Sequence, residues 1–135
     1  MSRGILDTST LIQLGRIQDT DALPDEPQIT AITLAELSVG PLVASSQKER
    51  SARQAHLQQA EADFEPLPFD AAAARSFGQV AAELRRAGRW PAARAYDAMI
   101  AATAISNDLP IHTCNPRDFS NIEGLTVVAV PHPDH

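Results

Sequence analysis

Short apolar runs alternate with stretches of helical spacing along the whole chain, and that alternation limits the fold more than any other feature. Residues 3–6 read as a strand ending at Asp7, and residues 8–14 carry helical spacing. Residues 28–32 read as a second strand, followed by a helix from Thr33. Residues 110–113 and 125–130 complete the set of strands. Residues 64–69, broken by two prolines, have room only for a brief edge strand. Strands separated by helices pair in parallel, because each right-handed crossover lays its helix on a face of the sheet. The expected fold is therefore α/β: a three-layer α/β/α sandwich with a mainly parallel central sheet. In such folds, sites form beyond the C-terminal ends of the strands.

The helices differ in what they bury. Residues 45–63 are rich in Lys, Arg, Gln, Glu and Ala and suit a solvent-facing helix. Asp70 reads as the cap of an Ala-rich helix that Gly88 stops. Residues 95–105 are apolar almost all round except at Asp97 and Thr103, the pattern of a helix buried against a sheet. The length of 135 residues and 44% hydrophobic content fit one domain over residues 1–135, with a short flexible Pro/His tail near 131–135. No run approaches the ~20 apolar residues of a membrane helix, which points to a soluble, cytoplasmic protein without membrane contact. Cys114 is the only cysteine, so internal disulfides and zinc-type clusters are excluded, and it reads as a small buried hydrophobe.

Asp7, Glu36 and Asp118 each follow a predicted strand near the start of the next helix, so the fold itself gathers them at one sheet edge. Asp97 joins them from its buried helix. Hard oxygen ligands without a thiolate or an imidazole cluster match Mg2+ or Mn2+ rather than zinc or copper.

Each carboxylate also has a structural explanation. Thr33 and Glu36 fit a capping box. Asn115 and Pro116 fit the start of a helix with Asp118 in its first turn. Asp7 could cap the helix after it, as could Thr8 or Ser9. Asp97 is the hardest to explain this way, since a buried carboxylate must be paired, metal-bound or neutralised. Arg94 is the rival partner.

The segments Leu6-Asp7-Thr8-Ser9, Ala35-Glu36-Leu37, Tyr96-Asp97-Ala98-Met99-Ile100-Ala101-Ala102-Thr103-Ala104 and Thr113-Cys114-Asn115-Pro116-Arg117-Asp118-Phe119 together resemble the VapC-type PIN-domain ribonuclease toxins. The agreement in order and spacing extends over nearly the whole chain. The resemblance implies an endoribonuclease toxin of a type II toxin–antitoxin pair, dependent on Mg2+ or Mn2+. It implies a homodimer, an RNA substrate, and a small VapB-like antitoxin joined to the toxin in a hetero-oligomer. It also implies roles: Asp7 and Asp97 as principal metal ligands, Glu36 and Asp118 completing the catalytic set, and Ser9, Thr113 and Asn115 orienting them. His112 stands where an aliphatic residue is expected and reads as a core histidine.

The formal charge of −6 discourages nucleic-acid binding by bulk electrostatics, although metal at the acids would offset part of it. Ten of the 11 basic residues are arginines, suited to bidentate phosphate contacts. Arg85, Arg86, Arg89, Arg94 and Arg117 are the candidate RNA contacts. Aromatics are only 4% of the chain, too few for an extended stacking platform, though Trp90 and Tyr96 could stack a splayed base or simply pack. Leu34, Leu37, Val39, Leu42 and Val43 are either a groove for an antitoxin segment or core. The competing reading is a non-catalytic PIN-like protein- or RNA-binding module whose acids are helix caps. A phosphate-accepting receiver domain is excluded, because it needs a lysine near a late strand and Lys48 is too early.

Overall fold

The computed structural model describes residues 2–90 and 92–134. Pro91, within the Trp90–Tyr96 segment, and His135, at the end of the expected tail, lie outside the described residues. The order is β1 Arg3–Leu6, α1 Thr8–Gln13, β2 Glu26–Gln28, α2 Ala31–Val39, α3 Gln47–Asp63, α4 Ala71–Arg86, α5 Ala95–Ser106, β3 Ile111–Thr113 and β4 Val127–Ala129. The strands form one parallel sheet in the order β2-β1-β3-β4, with Ile5 opposite Gln28 and Ile111, and Ile111 opposite Val127.

Apolar alternation decides what each face holds. Ile5 and Ile111 pack with Val80 and Leu84 of α4, with Ile100 and the small residues of α5, and with Phe119. Ile29, Leu37 and Ala60 form a separate cluster with Leu11, Leu57 and Phe64, which seats α1, α2 and α3. This is the expected three-layer α/β/α arrangement. Asp70 caps α4 by accepting from the Ala73 N–H at 2.9 Å, and Gly88 takes a positive φ of 70° just past its end. Among the described residues no helix is long and apolar enough to cross a membrane.

The second strand lies earlier than expected. β2 covers residues 26–28, not 28–32, and α2 starts at Ala31. Thr30 is the reason: its Oγ1 accepts from the Thr33 N–H at 3.2 Å, and this cap turns the chain out of the sheet. Pro27 is tolerated because β2 is an edge strand. The edge strand expected over 64–69 shrinks to a single bridge, where Leu67 N–H donates to Ile29 O and Leu67 O accepts from Ala31 N–H.

His112 is buried on β3, and its Nδ1 donates to the Ala22 carbonyl at 2.7 Å. The imidazole lies against Gly4 of β1, where an added Cβ would stand 2.4 Å from His112 Cδ2. A ring in place of an aliphatic residue thus requires a glycine on the neighbouring strand.

Candidate active site

The parallel sheet brings the C-terminal ends of β1 and β3 side by side, so Asp7 and Thr113 meet although 106 residues apart. Asp7 is only 3% exposed. It occupies the cap position of α1 without making a side-chain cap bond. Its Oδ2 instead accepts from Thr113 Oγ1 at 3.0 Å and Ser9 Oγ at 3.1 Å. Ser9 Oγ in turn accepts from Asn115 Nδ2 at 3.0 Å, and Thr113 Oγ1 accepts from the Asn115 backbone N–H at 2.9 Å. Two relays therefore run from Asn115 to one carboxylate oxygen. The other oxygen, Oδ1, is buried without any hydrogen-bond partner. Burial pushes the Asp7 carboxyl above its ordinary range, against the hydroxyl donors that lower it.

Glu36 lies in the middle of α2. Thr30, not Thr33, is the cap, so the capping-box explanation of Glu36 fails. Its Oε1 accepts from Thr8 Oγ1 at 2.7 Å. A hydroxyl has one proton to give, so in the 2.9 Å contact between Thr8 and Thr33 the Thr33 hydroxyl donates. Burial raises the Glu36 carboxyl, Thr8 lowers it, and the Asp7 charge raises it again.

Asp97 stands in the first turn of α5. Its carboxyl is pushed up to about 7 by burial, then by the charges of Asp118, Asp7 and Glu36. Asp97 thus senses the other three acids, and Glu36 senses Asp7. The Arg94 charge acts against this rise as the smallest of the causes, and its guanidinium Nη1 donates to Asp118 Oδ1 at 2.7 Å. The rival pairing of Arg94 with Asp97 is not made; Arg94 pairs with Asp118. Asp118 sits in a 3-10 turn, Pro116–Phe119, and Asn115 at its head gives its side chain to Ser9 rather than to a cap.

Thr8 is the contact that sequence reasoning missed. It had been weighed only as a rival cap for α1, and its signal was its place directly after Asp7, opposite the helix carrying Glu36. Thr10 was missed as well: its Oγ1 accepts from the Cys114 N–H at 2.9 Å and ties α1 to the end of β3. Cys114 itself is buried, as expected.

The candidate RNA contacts divide. Arg94 pairs with Asp118, and exposed Arg117 adjoins Asp118 in the same turn. Arg89 Nη2 donates to the Arg117 carbonyl at 2.8 Å, Arg85 lies 5.5 Å over the Trp90 ring, and Arg86 is exposed. Trp90 packs edge-on against Phe77, which favours packing for this ring, whereas Tyr96 is 53% exposed. Of the apolar set around Glu36, Leu37 is core and Leu34 is half-buried; Val39, Leu42 and Val43 are exposed.

Residues 5–125 match the PIN domain family. The chain is 40% identical over 129 residues to "Ribonuclease VapC5" of Mycobacterium tuberculosis, covering 94% of this chain and 93% of that protein. It is 39% identical over 97 residues to "tRNA(fMet)-specific endonuclease VapC" of Shigella flexneri, covering 72% and 70%. The fold superposes with a TM-score of 0.80 on the crystal structure of VapBC-5 from Mycobacterium tuberculosis, a member of the VapBC family of toxin-antitoxin systems. That match has 35% identity and covers 96% of this chain and all of that one, 100%. With its acids gathered at the sheet edge and this likeness along its length, the chain belongs to the PIN-domain family, in its VapC branch.

Proposed function

We propose that this protein is a metal-dependent endoribonuclease, the toxin of a type II toxin–antitoxin pair, hydrolysing RNA phosphodiesters in the cytoplasm. It would act as a homodimer and be held in check by a small VapB-like antitoxin in a hetero-oligomer. Relatives named as ribonucleases, and a neighbour of known structure from a toxin-antitoxin family, support this reading.

The observation that carries it is the buried Asp7 Oδ1, which has no hydrogen-bond partner, beside an Asp97 carboxyl that the charges of the other three acids push up. A buried polar atom without a partner is costly, and so is an uncompensated cluster of like charge. A divalent cation answers both. The donors are all hard oxygens, so Mg2+ or Mn2+ fits them, with Asp7, Asp97, Glu36 and Asp118 as the residues that would hold it. Among the described residues no three acids, histidines or cysteines stand close enough to be a ready-made metal cage.

When bound, such a cation supplies an activated water and offsets the charge that develops on the phosphate. The chain's own residues do the positioning. Ser9 and Thr113 fix the Asp7 carboxylate, Asn115 fixes both of them, and Thr8 fixes Glu36. Arg94 holds Asp118 at the rim. The cap-only reading fails for Glu36, since Thr30 caps α2, and Asn115 makes no side-chain cap bond.

The test is incubation of the purified protein with total RNA in magnesium, manganese or chelator, beside Asp7→Asn, with sequencing of the cut ends. Cutting should need the metal and Asp7 and leave 5′-phosphate and 3′-hydroxyl ends. Ends bearing 2′,3′-cyclic phosphate, or cutting that survives Asp7→Asn, would overturn the reading.

A further inference from the structure

A cleft of about 280 Å³ opens beside Glu36, between α1, α2 and α3. It is lined by Thr8, Ile12, Glu36, Leu37, Gly40, Arg53 and His56. We propose that this cleft seats the RNA nucleotide next to the cleaved bond, with its phosphate at Arg53 and His56 and its base against Ile12. The proposal rests on the ribonuclease reading and extends it to α3, a helix that the sequence marks only as solvent-facing.

Three observations carry it. First, the cleft is continuous with the acidic centre, because Thr8 and Glu36 belong to both. A strand whose backbone reaches the acids therefore has its neighbouring residue within reach of the cleft. Second, Arg53 and His56 lie three residues apart on α3 and so share one face. Arg53 is already fixed: Nη1 donates to the Gly40 carbonyl at 2.9 Å, and Nη2 pairs with Glu49. A guanidinium has five N–H donors, so this anchoring leaves others available. It also sets the fork before a ligand arrives, which lowers the ordering cost of binding. His56 is exposed and offers a ring N–H in either tautomer. Third, Ile12 is 43% exposed at the wall, an apolar surface for a base in a chain with few aromatics.

A larger, more apolar hollow shares Ile12, Leu37 and His56 with the cleft and is also walled by Leu14, Ala60 and Phe64. A protein segment would suit that hollow. The cleft that includes Glu36 is smaller and carries the nitrogen donors of Arg53 and His56, which suits a phosphate-bearing ligand.

The test uses an RNA oligonucleotide that the wild type cuts, with magnesium, and compares His56→Glu, His56→Gln and Gln58→Glu. Gln58 lies on a different face of α3 and matches the added negative charge. His56→Glu should raise KM about tenfold with kcat within about twofold. His56→Gln, which keeps an N–H donor, should recover most of that loss, and Gln58→Glu should stay near wild type. Equal KM increases in His56→Glu and Gln58→Glu, or a fall in kcat alone, would overturn the proposal. So would unchanged constants in every variant, the result for a cleft that serves a protein segment. If the wild type cuts no RNA, the ribonuclease reading fails instead. The cleft is then judged by fluorescence anisotropy of the same oligonucleotide, where a Kd unmoved by His56→Glu rejects it.

Discussion

The folded protein raises the Asp97 carboxyl from 3.8 to about 7, so its ionised form opposes folding. Between these two values the folded protein holds a proton that the unfolded chain has released. Without metal, this residue therefore makes stability fall as the pH rises from about 4 to 7. Asp97→Asn removes that slope. Because the site is partly open to solvent, the gain should be on the order of 1–2 kcal/mol above pH 7, vanishing near pH 4. Chemical denaturation of metal-free protein at both pH values measures it; a variant that melts lower than wild type at pH 8 contradicts the clustered-charge argument. The same substitution should abolish RNA cutting. Thr8 makes a different kind of contribution, since its hydroxyl donates to Glu36 and accepts from Thr33. Thr8→Val should lower cleavage about tenfold to a hundredfold, with stability changed by about 1 kcal/mol, whereas Thr8→Ser should keep most activity. Equal activity of the valine and serine variants would show that Thr8 does not position Glu36.

Between elements, the tightest constraint is where β1 passes β3. A methyl group at Gly4 would meet the His112 ring, which cannot retreat without losing its bond to Ala22 O. Gly4→Ala should cost about 1–3 kcal/mol, as overpacking does, and much less in a His112→Val background. Urea unfolding of the four proteins gives the coupling; additive losses would mean that the two residues do not press on each other. That constraint was hidden in the sequence, where His112 reads as a core histidine and Gly4 as one more strand residue. Other features were open to view. Strand–helix alternation was enough for the parallel sheet, and the ends of β1 and β3 for Asp7 and Thr113, because apolar periodicity is local information. Two threonines three residues apart, Thr30 and Thr33, offer the same cap chemistry, and only the end of β2 decides between them. The partner of Arg94 was equally out of reach, because choosing Asp118 over Asp97 depends on how a turn 24 residues later packs against α5.

At the scale of the whole molecule, a chain of net charge −6 must bring an anionic polymer to an acidic centre. Its long-range field repels RNA, so attraction has to come from charge placed close to the site, effective within about 8–10 Å at physiological salt. Arg94 is held by Asp118 and partly neutralised by it. Arg85 rests on Trp90, and Arg89 supports the backbone at Arg117. Among the arginines near Asp118, that leaves Arg117, exposed and adjoining it, as the one best placed to meet a phosphate. Removing one phosphate contact should weaken binding evenly across RNA sequences and lower the slope of log K against log salt by about 0.7 for a single strand. Arg117→Ala, made in an Asp97→Asn background so that RNA stays intact, should show this shift in anisotropy titrations from low to physiological salt. Arg86→Ala, on the exposed end of α4, should leave the slope unchanged. If both variants shift it equally, attraction is spread over the arginines as a patch. If neither does, RNA approaches from the α3 side, and the contribution of Arg53 and His56 to the salt slope should then be larger than that of the whole Arg117 rim.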